Sequence, residues 1–167
     1  HALKRGAVIL AELAGAGWSF DAYNETAPDP NLQAVAMRAA MCDARISPEE
    51  IDYVNAHGTS TPAGDGLETQ GIKSVFGDHA RNLWVSSTKS MTGHMLSAAS
   101  GIEALACLTS IERGAIPPTI NLDDLDPECA MLHHVPHHAR QQDVRVAISN
   151  SFGFGGANTC AVFRKVA

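Results

Sequence analysis

The hydrophobic and polar positions of this chain alternate between short apolar runs and longer stretches with the spacing of a helix. Residues 7–13 are apolar and partly β-branched, which predicts a first strand, and Gly15 and Gly17 after it favour the exit of the chain from that strand. Residues 21–30 are polar and contain prolines, which is typical of a loop. Over residues 31–44 the apolar side chains recur every three or four positions, which predicts a helix.

The same pattern continues through the middle of the chain. Ser47 is followed by Pro48 and, three residues on, by Glu50, which is the form of a capping box and predicts a short helical turn. Asp65 offers a side-chain acceptor three residues before Glu68, which predicts the start of a helix over residues 66–76. Further strands are predicted at residues 51–56, 83–86, 144–149 and 157–163.

The order of these elements predicts the fold class. Residues 94–112 are rich in alanine, and Glu103 is the only charge inside the stretch, so we expect a long, buried central helix. Residues 116–136 contain four prolines and are expected to be irregular. A strand and a helix follow each other three times before a final pair of strands, which predicts an α/β fold with a mixed, mostly parallel sheet under helices. No repeat or linker divides the chain, so residues 1–167 are expected to form one domain.

Composition narrows the classes of function. A net charge of −6 gives no reason to expect nucleic acid or an acidic membrane surface as a partner. No apolar run has the length of a membrane span, and we find no signal peptide. The four cysteines are far apart in sequence, which suits a reducing compartment where they pack as small hydrophobic residues, and we expect a cytoplasmic protein. Because the chain begins with His1, we expect it to be a piece of a longer one.

Three short segments place unusual polar chemistry at predicted strand ends, where ligand sites of α/β sheets form. In the first, His57 follows a buried strand and precedes glycine and three hydroxyl residues; a loop histidine bonded to a nearby carbonyl is the simpler interpretation when it is taken alone. In the second, Lys89 and His94 lie between a strand and the predicted central helix. A buried lysine needs a partner, and Glu103 could be that partner, either in a catalytic site or in a purely structural ion pair.

The third segment surrounds Phe154 with Gly153, Gly155 and Gly156. Such a loop can adopt positive φ angles and move, so the aromatic ring could gate a pocket, although a plain hairpin turn is the favoured interpretation when the segment is taken alone. Other motifs fail: Gly66 and Gly71 do not precede a P-loop lysine, and no G-x-S-x-G elbow exists. The clustered histidines could in principle bind a metal, but a proline interrupts them and no cysteine or carboxylate lies at ligand spacing; they are His133, His134, His137 and His138.

Taken together and in this order, HGTSTPAGD, SSTKSMTGH and NSFGFGGAN resemble segments of the β-ketoacyl-[acyl-carrier-protein] synthases, most of all the type II elongation class (synthase II). The resemblance extends over essentially the whole chain. It implies the thiolase fold, built from two similar halves, with this chain as the C-terminal half. It also implies an acyltransferase of fatty-acid elongation that needs no cofactor, has acyl carrier protein as its partner and forms a homodimer when full-length.

The resemblance also implies the mechanism and the residues that perform it. In the family a cysteine accepts an acyl group, malonyl-[acyl-carrier protein] loses CO2, and the enolate attacks the acyl thioester. His57 and His94 match the donors to the malonyl thioester oxygen, and Lys89, helped by Glu103, would orient His94. The matching substrate-binding positions are Thr59 and Thr61 for the pantetheine arm and Phe154 as the gate. Whether a structural monovalent cation is bound is left open; the matching positions are Asn55, Glu103, Ser149 and Asn158.

The nucleophilic cysteine of the family belongs to the half that this chain lacks. Cys107, for example, falls inside an apolar helix, where a thiol is inert. The loop at residues 21–30 is also slightly shorter than is usual, which places the second gating loop in doubt. We therefore expect the fragment to be inactive alone. The alternative is a non-catalytic partner subunit that resembles a chain length factor, against which the retention of His57, Lys89 and His94 argues.

Overall fold

The structure is a computed structural model that describes residues 1–21 and 28–166. The strands are β1 (Glu12–Phe20), β2 (Tyr53–Asn55), β3 (Trp84–Ser86), β4 (Ala115–Ile116), β5 (His133–His134), β6 (Arg140–Gln141), β7 (Val146–Phe152) and β8 (Ala157–Arg164). The helices are α1 (Pro30–Ala44), α2 (Gly64–Phe76), α3 (Lys89–Thr92) and α4 (Ala99–Arg113).

Six of these strands form one sheet in the order β1-β8-β7-β2-β3-β5, and β4 pairs separately with β6. The neighbours from β7 to β5 are parallel, whereas β8 is antiparallel to both β1 and β7. The predicted α/β class with a mixed, mostly parallel sheet is therefore confirmed. The parallel strands carry their C-terminal ends to one edge of the sheet.

Two groups of buried residues cover the two faces of this sheet. On one face Val54 and Ile148 pack with Met37 of α1 and Ile72 of α2. On the other face Tyr53 and Ala147, which are their neighbours along the strands, pack with residues of α4; these are Cys107 and Ile111. The alternation of side chains along β2 and β7 is what separates the two groups.

The first strand lies later in the chain than the sequence predicted. Residues 7–11 are irregular, and β1 begins at Glu12 and runs through both glycines. A Cβ atom at Gly17 would lie 2.3 Å from the carbonyl oxygen of Ala36 and 2.3 Å from the backbone nitrogen of Ala40. The glycines therefore let α1 pack closely on the strand rather than ending it. Most of the predicted loop, residues 22–27, lies outside the described residues.

The predicted caps have mixed outcomes. The capping box at residues 47–50 is confirmed, because the backbone N–H of Ser47 donates to Oε2 of Glu50 at 2.8 Å. The predicted cap of α2 is wrong, since that helix begins at Gly64, one residue before Asp65. Oδ1 of Asp65 instead accepts the backbone N–H of Ser60 in the preceding loop, at 3.1 Å.

The predicted single buried helix at residues 94–112 is also wrong. The chain forms α3, a 3₁₀ turn at Leu96–Ala98 and then α4. Gly93 (φ 75°) and Leu96 (φ 53°) lie in the left-handed region, which interrupts a continuous helix. Only one face of α4 packs on the sheet in this chain, and Leu105 on its other face is 54% exposed. None of the described helices is both long and apolar enough to pass through a membrane.

Candidate active site

The three segments singled out in the sequence meet at the C-terminal edge of the parallel strands. The loop that begins with His57 follows β2, and the segment from Ser87 to His94 follows β3. The glycine-rich turn around Phe154 follows β7, which pairs with β2. This position is the one that ligand sites of open α/β sheets occupy.

The two histidines of these segments contact each other. The rings of His57 and His94 lie edge to face, with centroids 5.5 Å apart and an interplanar angle of 85°. The ring of Phe152, at the end of β7, lies 5.7 Å from that of His57. Two imidazoles at this separation can direct N–H groups at a single oxygen atom between them.

His57 is held as a neutral imidazole. Burial lowers its pKa to about 3, and the positive charge of Lys89 and the neighbouring His94 act in the same direction. Its Nδ1 atom is buried and has no hydrogen-bond partner among the described residues. A neutral ring carries one N–H, so His57 can donate one hydrogen bond without being charged.

The tautomer of His94 follows from a backbone contact. Its Nδ1 accepts a hydrogen bond from the backbone N–H of Leu96 at 3.2 Å. A ring nitrogen that accepts carries no proton, so in the neutral ring the proton lies on Nε2. Leu96 itself has the positive φ angle described above and lies in the turn between α3 and α4.

Lys89 forms a buried ion pair with Glu103, as the sequence indicated. The ammonium group donates to Oε1 of Glu103, and both side chains are almost fully buried. The other carboxylate oxygen lies 3.4 Å from the hydroxyl of Ser151 on β7. The backbone carbonyl of Lys89 accepts the N–H of Gly93 at 2.8 Å, so the short helix α3 joins the ion pair directly to His94.

The two predicted substrate-binding threonines lie beside a cavity of about 640 Å³ whose lining includes Lys89 and His94. The hydroxyl oxygens of Thr59 and Thr61 are 3.4 Å apart. The Thr61 hydroxyl also accepts the backbone N–H of Gly64 at 3.1 Å. Both threonines therefore line the same cavity as Lys89 and His94.

Phe154 occupies an exposed position at the tip of the turn between β7 and β8. Its side chain is 79% exposed, and the two glycines after it have φ angles of 72° and 79°. The aromatic ring that touches His57 belongs to Phe152, which the sequence reasoning missed. Strand alternation does not single out Phe152, because nearly every residue of β7 is buried whichever face of the sheet it lies on.

The four positions matched to a monovalent cation are joined only in part. The amide of Asn55 donates to the backbone carbonyl of Glu103 at 3.4 Å, and Asn55 pairs in register with Ser149. The amide of Asn158 donates instead to Gly156 and to Asp21. Among residues 1–21 and 28–166, no three His, Cys, Asp or Glu side chains form a group that could hold a metal ion.

The cysteines fall into two groups. Cys107, Cys129 and Cys160 are buried, and burial raises the pKa of each thiol. Cys42 on α1 is exposed, so the expectation that all four pack as hydrophobic residues is wrong for this one. Among the described residues, no cysteine side chain forms a hydrogen bond with the ring of His57 or His94.

Glu68 is a further residue at the site that the sequence reasoning misread. The sequence predicts Glu68 as part of a helix start, but its side chain is buried and both of its oxygens accept backbone N–H groups of the His57 loop. The signal was available: Glu68 shares the buried face of α2 with Ile72 and Val75, four and seven residues later. A carboxylate on an apolar helix face needs hydrogen-bond partners.

Comparison with known proteins agrees with this geometry. Residues 10–123 match the family model described as beta-ketoacyl synthase, C-terminal domain. The chain is 51% identical over 168 aligned residues to 3-oxoacyl-[acyl-carrier-protein] synthase 2 of Coxiella burnetii, an alignment that covers 99% of this chain and 40% of that protein.

Solved structures give the same picture. The ishigamide ketosynthase/chain length factor matches with a TM-score of 0.95 and 43% identity, over 99% of this chain and 40% of that one. A type II PKS acyl-carrier protein in complex with its ketosynthase bound to the hexaketide matches with a TM-score of 0.96 and 40% identity, over 100% of this chain and 41% of that one. The thiolase-like ketosynthase fold is therefore confirmed. The chain spans about two fifths of the length of the proteins that it matches.

Proposed function

The chain belongs to the β-ketoacyl synthase family, and we propose that it is the C-terminal half of an acyltransferase that condenses an acyl thioester with malonyl-[acyl-carrier protein] in fatty-acid elongation. The observation that carries this proposal is the contact between His57 and His94. The centroids of their imidazole rings lie 5.5 Å apart at the ends of the parallel strands. The relative named 3-oxoacyl-[acyl-carrier-protein] synthase 2 supports the choice of reaction.

The two imidazoles suit the decarboxylation step. When malonyl thioester loses CO2, negative charge develops on the thioester oxygen, and preorganised donors aimed at that oxygen stabilise it. His57 is neutral and His94 offers Nε2–H, so each ring donates one hydrogen bond to the oxygen. The enolate then attacks the acyl thioester, and the acyl group leaves the cysteine sulfur as the new carbon–carbon bond forms.

Lys89 acts as a positioning residue in this proposal. Its side chain is anchored in the protein by Glu103, and its backbone carbonyl fixes the turn that ends at Gly93. His94 is the residue after Gly93, so the ion pair determines the position of the His94 ring. The charge of Lys89 also lowers the pKa of His57 and so favours the neutral donor.

The substrate reaches His94 along the cleft that Thr59 and Thr61 line, and His57 lies against the ring of His94. The threonine hydroxyls offer hydrogen bonds to the amide groups of a pantetheine arm, and Phe154 gates the acyl chain from its exposed turn. The complex of a ketosynthase with an acyl-carrier protein among the matched structures supports acyl carrier protein as the partner. We propose that the complete enzyme is a cytoplasmic homodimer.

The nucleophile lies in the other half of the enzyme. Burial raises the pKa of three cysteine thiols in this chain, which opposes formation of the thiolate that attack requires. The alternative function is that of a non-catalytic partner subunit related to a chain length factor. The matched structure of a ketosynthase/chain length factor supports this alternative. A cysteine at a helix N-terminus of the other half supports the enzyme, and its replacement supports the alternative.

The test uses the complete protein that contains this chain. Malonyl-[acyl-carrier protein] is supplied without an acyl primer, and CO2 release is measured for the wild type, His57→Ala, His94→Ala and the control His138→Ala, which changes an exposed histidine. We expect losses of about a hundredfold or more at the two site positions and no loss in the control. Acylation of the cysteine should survive better. A wild type that releases no CO2, or variants that lose both steps equally, would contradict the proposal.

A further inference from the structure

A serine hydroxyl joins the two loops that carry the histidines. The ladder between β2 and β3 ends where the backbone N–H of Ala56 donates to the carbonyl of Ser86 at 2.9 Å. Beyond that bond the two strands lead into separate loops, and Oγ of Ser87 donates to the backbone carbonyl of Gly58 at 2.7 Å. Among the described residues, no other hydrogen bond connects residues 57–63 with residues 87–94.

The two loops touch at this bond. Gly58 has a φ angle of 36°, and a Cβ atom there would lie 2.6 Å from Cβ of Ser87 and 2.9 Å from its Oγ. Position 58 therefore has no room for a side chain. The contact lies directly after His57 on one loop and two residues before Lys89 on the other, and Ser87 is only 8% exposed.

The backbone of Ser87 is fixed on both sides. Its N–H donates to Oγ1 of Thr119 at 2.9 Å, and its carbonyl accepts the hydroxyl of Ser90 at 2.9 Å. Oγ of Ser90 in turn accepts the backbone N–H of Ile120 at 3.0 Å. A residue whose N–H and carbonyl are both bonded presents its hydroxyl from a defined position, so Ser87 can hold Gly58 rather than follow it.

We propose that Ser87 is a positioning residue that sets the spacing of the two histidines: its hydroxyl ties the loop of His57 to the segment that carries His94. This inference rests on the proposed function and deepens it. Two N–H donors can share one oxygen atom only while their rings keep a fixed separation, here 5.5 Å between centroids. Because the rings belong to different loops, that separation requires a link beyond the end of the ladder.

Alanine at position 87 removes this link and a single oxygen atom. The carbonyl of Gly58 then loses its donor, and the His57 loop can move away from the other segment. In the complete protein we expect Ser87→Ala to lower kcat for malonyl decarboxylation by roughly tenfold, with KM changed by less than about threefold, since a misplacement of about 1 Å can cost a hundredfold. Acylation of the cysteine should change by less than about twofold.

The matched control is Ser110→Ala. Ser110 is fully buried near the C-terminal end of α4, and its hydroxyl donates to the backbone carbonyl of Ala106 at 2.8 Å. This variant therefore loses the same kind of hydrogen bond, but one that joins no histidine loop. A loss of decarboxylation equal to that of the control, or an equal loss of acylation and decarboxylation in Ser87→Ala, would overturn the proposal.

A double-mutant cycle with His57→Ala distinguishes positioning from a general loss of structure. If Ser87 acts through the spacing of the two rings, it has no spacing to set once one ring is absent. We expect Ser87→Ala to lower CO2 release by roughly tenfold in the wild type and by less than about twofold in His57→Ala. The same loss in both backgrounds would mean that Ser87 does not act through the histidine pair.

Crystal structures of the complete protein give a readout that does not depend on activity. The centroids of His57 and His94 should separate by about 0.5–1 Å more in Ser87→Ala than in the wild type, and should keep their spacing in Ser110→Ala. An unchanged separation in Ser87→Ala would overturn the proposal, whether or not the wild type releases CO2.

A second variant tests the proposal if Ser87→Ala does not fold. Thr119→Val removes the oxygen that accepts the backbone N–H of Ser87 and leaves the serine hydroxyl in place. It should lower decarboxylation by about twofold to fivefold while acylation proceeds as in Ser110→Ala. An unchanged rate of decarboxylation would overturn the proposal.

Discussion

The backbone N–H of Leu96 donates to Nδ1 of His94 at 3.2 Å, and this one contact determines which nitrogen of the ring can donate to a substrate. With Nδ1 occupied as an acceptor, only Nε2 carries a proton. Leu96 adopts a φ angle of 53°, a conformation that costs energy for a residue other than glycine. The chain therefore maintains a strained residue directly beside the proposed oxyanion donor.

Two amide substitutions at position 94 test this tautomer. Glutamine places an NH2 group near the position of Nε2, whereas asparagine places its amide near Nδ1. We expect His94→Asn to lower malonyl decarboxylation by about a hundredfold to a thousandfold and His94→Gln to lower it by about tenfold. The rates are measured by CO2 release in the complete protein, and the opposite order would exclude Nε2 as the donor.

The neutral state of His57 predicts a pH dependence of stability. Its folded pKa of about 3 lies below the ordinary value of 6.5, so between these values the unfolded chain binds a proton that the folded chain does not. The contribution of neutral His57 to the free energy of unfolding is therefore fully present above pH 6.5 and is lost as the pH falls towards the folded pKa. The loss is at most roughly 1.4 kcal/mol per pH unit.

Urea unfolding of the complete protein and of His57→Gln checks this expectation. Between about pH 7 and about pH 5, the free energy of unfolding should fall more for the wild type than for the variant. Equal pH dependence of the two proteins would mean that His57 titrates normally in the folded state and is not held neutral by its surroundings.

Substitutions in the buried pair of Lys89 and Glu103 should affect the stability and the activity of the protein differently. Lys89→Met leaves the Glu103 carboxylate buried without its partner, which should lower the free energy of unfolding by about 3–5 kcal/mol. Replacing both residues, as Lys89→Met with Glu103→Leu, removes the unpaired charge and should recover much of that loss.

Malonyl decarboxylation distinguishes the two roles of this pair. Because the proposed function of Lys89 is to position His94 and favour neutral His57, the stable double variant should remain as inactive as Lys89→Met. Recovery of decarboxylation together with stability would show that the ion pair is purely structural. Denaturant unfolding and CO2 release on the same preparations decide between these outcomes.

The sequence predicted which segments meet at the candidate site better than it predicted the helices and strands that carry them. His57, Lys89 and His94 follow the ends of predicted parallel strands, which meet at one edge of the sheet. The roles expected for them and for Glu103, which lies inside a helix, came from the resemblance of the three segments to the β-ketoacyl synthases. Glu68 was misread because the interval from Asp65 to Glu68 imitates a capping box. Distinguishing a helix cap from a buried carboxylate requires knowing which face of α2 packs inward.

Two further errors, in the first strand and in the predicted central helix, have related causes. Gly15 and Gly17 suggested an exit from the first strand, whereas the close approach of Ala36 and Ala40 on α1 is what requires them. Such an approach is a tertiary contact that local patterns do not carry. Residues 94–98 have helical composition, but the backbone turn at Leu96 that serves His94 overrides the local preference.

The turn between β7 and β8 predicts different roles for its two phenylalanines. Phe154 is exposed, so Phe154→Ala should change the free energy of unfolding by less than about 1 kcal/mol, whereas Phe152→Ala should cost about 3–5 kcal/mol because its ring is buried against His57. As a gate, Phe154→Ala should nevertheless disturb the order in which acyl and malonyl groups are loaded. Competition between the two carrier-bound substrates, followed by intact mass, measures that order; unchanged order would remove Phe154 from the gating role.

The 167-residue chain alone should not perform the condensation. Its histidines can stabilise an enolate, but without the nucleophile of the other half there is no acyl-enzyme for that enolate to attack, and groups that act as a unit contribute little separately. The chain also exposes large apolar side chains on β1 and on α4, which should promote self-association; these are Trp18, Phe20, Ile102 and Leu105. Incubation of the purified chain with acyl-[acyl-carrier protein], followed by intact mass and light scattering, tests both expectations. One result would contradict the division of the site between two halves. In it, a monomer of this chain forms a stoichiometric acyl adduct on one of its cysteines and then releases a β-ketoacyl product when malonyl-[acyl-carrier protein] is added. That result would place the nucleophile in this chain.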